Sequence, residues 1–311
     1  MSEKDRPIIK QVMGISLGSS ARDAERTFSL GTSRIHLVRL GTDGNLEKAK
    51  ALFKKYDGKV DAFGLGGTDL YLYAGTKKYL FKESAQIISQ VRQTPVVDGS
   101  GIKNTWERKV IKDLLAGGVI NFANKRVLLV CAVDRFGMAQ ALAEQASSLV
   151  MGDLLFGLKL NCPLRSLQTL DKCARLLVPI ISRLPVRLFY PLGDKQQVRQ
   201  PLFPEYFMDS DIIAGDFHFI RRFMPDRLPG KIIITNTVTE ADRIFLRAAG
   251  VAKLITTTPC LEGRSFGTNM LEASLVALTG SHTPLEQRMY LQLLEQLNIH
   301  YACANFPENE L

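Results

Sequence analysis

Tryptophan occurs once, histidine four times and cysteine five times in this chain of 311 residues, and each scarcity removes a class of protein. The histidines, His36, His218, His282 and His300, include no second histidine at ligand spacing, so no metal site is expected. The cysteines, Cys131, Cys162, Cys173, Cys260 and Cys303, are odd in number and lack a C-x-x-C pairing. That excludes a disulfide framework and suits a reducing compartment. No apolar run reaches the roughly eighteen residues that a membrane-spanning helix needs. The opening MSEKDRPIIK is charged and has no apolar signal core, so a cytoplasmic location is expected. Internal repeats and low-complexity tracts are also missing. No nucleic-acid module is present, and the basic residues are not interleaved with a stacking platform, so nucleic acid is not an expected partner.

What is present is an ordinary globular composition, with 46 % hydrophobic and 23 % charged residues, long enough for two cores. The pattern predicts a two-part α/β protein. Residues 1–118 read as a mixed α/β domain with hairpins, around 26–40 and 70–82, and with Gly117-Gly118 as its end. Residues 119–283 alternate strand and helix, with strands at 126–132, 149–153, 211–215, 231–235 and 252–257 and helices at 137–147, 239–249 and 268–279. Such alternation predicts a Rossmann-like, mostly parallel sheet. Residues 284–311 add a C-terminal helix and tail.

The apolar strand Val127–Ala132, the turn that follows it and the Ala-rich helix from Gly137 begin as a nucleotide-binding βαβ unit begins. Laid on G-x-G-x-x-G, its glycine positions are Ala132, Asp134 and Gly137, so only the last is kept. Asp153 ends the next strand, 19 residues after Asp134, where a ribose-binding carboxylate belongs. Ala132, Asp134, Arg135, Gly137, Asp153, Asn236 and Thr256, all at carboxyl ends of strands, are the candidate cofactor residues. Asp98-Gly-Ser100-Gly-Ile-Lys103-Asn104 precedes a helix and can present amides to an anion, with Ser100 and Asn104 as substrate contacts. Asn104 is equally an ordinary helix cap. Gly64-Leu-Gly-Gly67-Thr-Asp69 is followed by an alternating strand pattern, so it reads as a tight turn and secondarily as a site wall. Lys103 and His218, with Asp216 beside His218, are the candidates for proton transfer. Arg221, Arg222, Arg264 and Ser265 are candidate anion contacts, since guanidinium matches carboxylate or phosphate in a bidentate fork.

The formal charge of +9 is concentrated. Residues 159–199 hold eight basic side chains against Asp171 and Asp194 alone. They lie in an insertion, 155–208, that combines an amphipathic helix at 164–184 with proline-punctuated chain. A lid over an acidic substrate or a homodimer contact is the first reading of this segment. Peripheral contact of 164–199 with an anionic membrane is the second.

The strings GISLGSS, VDAFGLGGTDLYLYAG, PVVDGSGIKNT, AVDRFGMA, AGDFHFIRRFMPDRLPGK and TTTPCLEGRSFGTN, spread over nearly the whole chain, resemble a bacterial family often labelled quinate/shikimate 5-dehydrogenase-like. The resemblance implies an oxidoreductase that uses NAD or NADP on a small hydroxylated anion. Lys103 is then the nearest candidate for the catalytic lysine, and Asp134 or Asp69 for its acidic partner. The chain departs from true shikimate dehydrogenases in its turn 132–137 and in lacking an Asn-Val-Thr-x-Pro-x-Lys signature. Two other classes stay open. One is a non-redox transferase or lyase that binds a nucleotide or phosphorylated ligand, which Asp134 in the turn favours. The other is a ligand-sensing or membrane-surface binding protein.

Overall fold

The computed structural model describes residues 9–74, 77–188, 198–261, 264–265 and 267–306, without the side chains of residues 73, 74, 260, 261 and 264. Two sheets carry the fold. The first is built from β1 (Ile9–Ser16), β2 (Ala24–Leu30), β3 (Ser33–Gly41) and β4 (Ala62–Gly66), with α1 (Leu46–Tyr56) between β3 and β4. The Asn45 side chain caps α1 by accepting from the Lys48 amide. The small hairpin β5 (Tyr71–Ala74) and β6 (Lys77–Leu80) follows, then α2 (Lys82–Ile87) and the edge strand β7 (Val96–Val97). The order is β2-β3-β1-β4-β7, with only the β2–β3 hairpin antiparallel. Helix α2 is short and ends at Ile87.

Next comes α3 (Ser100–Ala116), which starts four residues ahead of the expected cap at Asn104. The Asn104 side chain instead donates from Nδ2 to the Ser100 carbonyl within the helix. The second sheet then runs β8 (Arg126–Leu129), α4 (Phe136–Gln145) and β9 (Ser148–Met151). After an insertion come β10 (Ile212–Ala214), α7 (Phe217–Phe223), β11 (Ile232–Thr235), α8 (Glu240–Ala248) and β12 (Lys253–Thr256). The insertion holds α5 (Leu167–Ile181) and α6 (Pro204–Asp209). A two-residue ladder, β13 (Cys260–Leu261) with β14 (Arg264–Ser265), precedes α9 (Thr268–Thr279), α10 (Gln287–Gln296) and β15 (Ala302–Asn305). The order is β15-β12-β11-β10-β8-β9, with five parallel strands and β15 antiparallel at the edge. This is the expected Rossmann-like, mostly parallel sheet. Its strands are near-continuous apolar runs, as a sheet covered on both faces requires. Helix α7 and strand β15 carry no strong periodicity and were not expected.

One core spans both sheets. Val12 and Ile35 of the first sheet and Val127 and Leu129 of the second join Trp106, Val110 and Leu114 of α3 and Leu271 and Leu275 of α9. Burying each such large side chain contributes about 1.5–3 kcal/mol relative to exposure. The outer face of the second sheet is an aromatic layer, with Phe156 stacked on Phe223 at 5.2 Å and against Phe207 at 5.4 Å. Helix α5 crosses to the first sheet, where Ala174 and Val178 join Phe53, Phe63 and Phe81. The strap is anchored by the Lys82 amide, which donates to the Ser182 carbonyl at 2.9 Å, and by the Val186 amide, which donates to Glu83 at 2.6 Å.

Gly137 opens the way for α3 to lie against α4. A Cβ at this position would sit 2.5 Å from the Asn104 carbonyl oxygen, which is backbone and has little freedom to retreat. Gly137→Ala is therefore expected to lower unfolding free energy by about 1–3 kcal/mol, the usual range for overpacking. Urea denaturation measures this; an unchanged midpoint would show that α3 and α4 yield freely.

Candidate active site

In each sheet the chain first builds strands to one side of its opening strand and then crosses to the other. The crossing points lie between β1 and β4 and between β8 and β10. Open α/β sheets bind ligands beyond the carboxyl ends of strands at such switch points. Here both open into one cavity of about 370 Å³, lined by Ser16 and Gly66–Asp69 from one sheet and by Cys131, Asp134, Asp216 and His218 from the other. Gly67, at φ +74°, makes the turn after β4 possible, because a side chain there would strike the backbone of Leu17 and Gly18. The turn delivers Asp69.

Lys103, on the first turn of α3, is 7 % exposed and lies between two carboxylates. Its Nζ donates to Asp69 at 2.6 Å and to Asp134 at 2.7 Å. Burial alone would lower the pKa of the ammonium, but the charges of Asp134 and Asp69 more than offset it, so Lys103 is held protonated. Burial and the neighbouring Asp134 push Asp69 up to about 7 against the pull of Lys103. The cluster therefore pairs a fixed cation with a carboxyl that exchanges its proton near neutrality.

Beneath it lies a second ion network. Arg135 is fully buried and donates from one nitrogen to both Glu107 oxygens, at 2.6 and 2.5 Å, and from the other to Asp216 at 3.2 Å. Thr257 donates to Glu107 at 3.1 Å, and Asn236 donates to Asp216 at 3.3 Å. Arg135 is thus a structural cation rather than a cofactor contact. Asp216 caps α7 by accepting from the His218 and Phe219 amides. Burial opposes its ionisation, yet His218 where the ring is protonated, at low pH, and the standing charges of Arg135 and Lys103 hold it at about 2. A carboxylate so firmly ionised has no proton to give at neutral pH, which replaces the catalytic role expected for it.

His218 is also reassigned by its surroundings. Burial first, then the charge of Arg22, pulls it down to about 4, so the ring is neutral at pH 7. Its Nε2 accepts from Arg22 at 2.7 Å. With that lone pair engaged, His218 orients Arg22 over the cavity instead of accepting a proton from substrate. Arg22, Arg26 and Arg39 all line the first sheet's side of the cavity. Arg39 is braced by Asp23 at 3.0 Å and by the Ser19 carbonyl at 3.1 Å. These arginines were not singled out from sequence, where arginines in a turn or on an alternating strand look like solvent-facing charges.

The turn 132–137 does not fit the pyrophosphate of a dinucleotide. Asp134 places a carboxylate at the second glycine position and spends it on Lys103. The Arg135 amide donates to the Ala132 carbonyl at 3.1 Å. Asp153 is turned inward, accepting from the Ala132 amide at 3.0 Å and the Val133 amide at 2.8 Å, so it faces no ribose. Burial pushes it up to about 6. Gly152 is covered by the Phe156 ring, and no residue of 136–157 lines the cavity. Gly137 serves helix packing, as described above.

The remaining candidates divide. Asn236 and Ser265 line the cavity, although the Ser265 hydroxyl already accepts from the Val238 amide at 2.6 Å and donates to the Asn236 carbonyl at 2.8 Å. Ser100, Asn104, Thr256, Arg221 and Arg222 do not line it. The Ser100 amide is taken by Asp98 at 3.0 Å, so the glycine–serine loop holds the protein's own carboxylate instead of an external anion. Asp98 also accepts from the Leu70 and Tyr71 amides, at 2.7 and 3.0 Å. Arg221 donates to Asp242 at 3.1 Å, and Arg222 lies over the Phe223 ring. The side chain of Arg264 lies outside the described residues.

Residues 11–98 and 101–306 match two family models, described respectively as domains of unknown function DUF8753 and DUF8754. No curated protein matches. Among solved structures, the chain is similar to an NAD-dependent malic enzyme from Thermotoga maritima, with 13 % identity, 93 % of this chain and 84 % of that one covered, and a TM-score of 0.38. An L-tryptophan dehydrogenase from Nostoc punctiforme shows 10 % identity, 94 % and 79 % coverage, and a TM-score of 0.38. A sugar ABC transport substrate-binding protein from Bordetella parapertussis shows 11 % identity, 97 % and 85 % coverage, and a TM-score of 0.35. Likenesses this distant, split between enzymes and binding proteins, carry no functional weight.

Behind the cavity, Glu272 of α9 accepts from the Tyr290 hydroxyl at 2.6 Å, and burial with the nearby Asp98 pushes it up to about 7. A carboxyl whose pKa is raised on folding contributes stability below its unfolded value and loses it as pH rises through the folded one. Between about pH 5 and 8, stability is expected to fall less steeply in Glu272→Gln than in the parent chain. Parallel melting curves across that range test this; superimposable pH slopes would show that Glu272 is ionised throughout.

Proposed function

This chain belongs to the family described as Domain of unknown function (DUF8754), and we propose that it is an acid–base enzyme acting on a small hydroxylated anion in the cavity between its sheets. The observation that carries this reading is Lys103 between Asp69 and Asp134, 2.6 and 2.7 Å away, where both switch points open. Asp69, with its pKa near 7, takes the proton from a substrate hydroxyl or activated carbon. Lys103 stays an ammonium and stabilises the oxyanion that develops beside it. Asp134 keeps Lys103 charged and fixes its position. Arg22, Arg26 and Arg39 supply the positive rim that holds a carboxylate or phosphate on the substrate. A cavity of about 370 Å³ suits a small metabolite.

Two reaction classes share this machinery. A lyase- or transferase-type proton transfer needs only the residues already in the cavity. Dehydrogenation of a quinate- or shikimate-like substrate with NAD or NADP is the second reading, favoured by the order of the second sheet and opposed by the filled turn. The protein is titrated with NADH and NADPH by fluorescence and thermal shift, and separately with a panel of hydroxylated carboxylates and phosphates. Stabilisation by an anion, without a shift from either dinucleotide, is the expected result. Saturable NADH or NADPH binding would move the assignment to the redox class.

Once a substrate is found, Asp69→Asn and Lys103→Met are each expected to lower kcat by about 10²–10⁴-fold. Arg39→Ala is expected to act mainly on KM. The rate should rise with pH through about 7 as Asp69 ionises. A Lys103→Met protein that retains full turnover would remove the proposed centre from the chemistry.

A further inference from the structure

Helix α5 and the chain just past its end expose a cluster of large apolar side chains. Leu176 is 71 % exposed and Ile180 57 %, one turn apart on α5, and past the helix end Leu184 is 38 % exposed and Leu188 61 %. Isolated surface leucines are common, but four large exposed apolar side chains within thirteen residues of one anchored segment are not what a monomer's solvent face requires. The opposite face of α5 is already buried through Leu170, Ala174 and Val178, so the cluster is surplus to the fold. Beside it, Lys172, Arg175, Arg183 and Arg187 are exposed as well. From 159 to 188 Asp171 is the only acidic residue, and it is paired with Arg175 at 2.7 Å.

We propose that this face docks the protein on an anionic lipid bilayer. The four apolar side chains enter the boundary between headgroups and acyl chains, and the flanking cations lie against lipid phosphates and carboxylates, their apolar stems following the surface. Charge complementarity selects this occupant over a second copy of the chain. A two-fold contact through the same face would bring a second set of these cations up to the first, with Asp171, already paired, as the only acid of the segment to offset them. The strap's bonds to Glu83 and to Lys82 hold the cluster in place before docking, so little order need be gained on binding. Among the described residues no helix is long and apolar enough to cross a membrane, so the attachment is peripheral.

The test is flotation of the full chain with vesicles of phosphatidylcholine alone and with added phosphatidylserine or phosphatidylglycerol. Binding is expected only with the anionic lipids, and to weaken severalfold as salt rises, because screening shortens the reach of the cations. Leu176→Ser with Leu188→Ser, and separately Arg183→Ala with Arg187→Ala, should each weaken binding about tenfold or more while leaving the melting temperature unchanged, since all four side chains are exposed. Absence of flotation at low salt overturns the proposal, as does equal binding to neutral vesicles or unchanged binding by both variants. A concentration-dependent dimer in solution that Leu176→Ser dissolves would also overturn it, by assigning the face to a second copy.

Discussion

A guanidinium with no access to solvent governs the architecture. Arg135 cannot shed its charge, so the fold must surround it with carboxylates and hold them in place. Glu107 arrives from α3, Asp216 from the end of β10, and both are braced in turn by Thr257 after β12 and Asn236 after β11. One buried charge thereby ties together the helix that links the lobes and three of the parallel strand ends. Removing one partner of such a network costs about 3–5 kcal/mol, because the other charge is left buried and alone. That penalty is what makes the positions of Asp134 and Asp216 at the cavity floor so well determined.

The reactive cluster rests on this base. Asp134 precedes Arg135 in sequence and lies 3.9 Å from its guanidinium, so the orientation of the turn that buries Arg135 also presents Asp134 to Lys103. Lys103 and Glu107 sit one helical turn apart on α3, one facing the cavity and the other the buried arginine. The helix therefore serves both networks at once. A lysine at this place without Asp134 would face burial with a single carboxylate, and Asp69 without Lys103 would be still more easily protonated. The charges around the cavity depend on one another as a set.

Much of the fold was legible because it follows from periodicity. The apolar runs of β8, β10, β11 and β12 and the helices between them announce a parallel sheet, and the β2–β3 hairpin follows from its turn residues. Lys103 and Asp134 were also legible, as polar residues at strand ends and helix starts. What could not be read was which polar group meets which. Asp216 and His218 look like an acid–base pair two residues apart, but a helix start turns them into a cap and a neutral acceptor. Arg221 and Arg222 continue that helix away from the cavity. Asp69 and Asp134 came forward as partners of Lys103 only through the family resemblance, and Arg22, Arg26 and Arg39 acquire their role only when β2, β3 and the turn before β2 fold beside a second sheet distant in sequence. Long-range pairing of charges leaves no local period.

The turn after β8 shows how a scaffold and its customary ligand can part. In a dinucleotide fold this turn is empty of side chains so that backbone can meet phosphate. Here its space and its amides are assigned to the protein's own carboxylates: Asp134 reaches forward to Lys103, and Asp153 reaches back to the Ala132 and Val133 amides. The inward bond of Asp153 closes the ribose position by the same motion that stabilises the turn. Phe156 then packs over Gly152, converting what would be an adenosine crevice into core. Each step favours the others, since a buried carboxylate needs the amides and the amides need an acceptor. Opening this turn to a dinucleotide would require Asp153, Phe156 and Asp134 to move together. The cavity that remains is the one between the sheets, where the chemistry has to be sought.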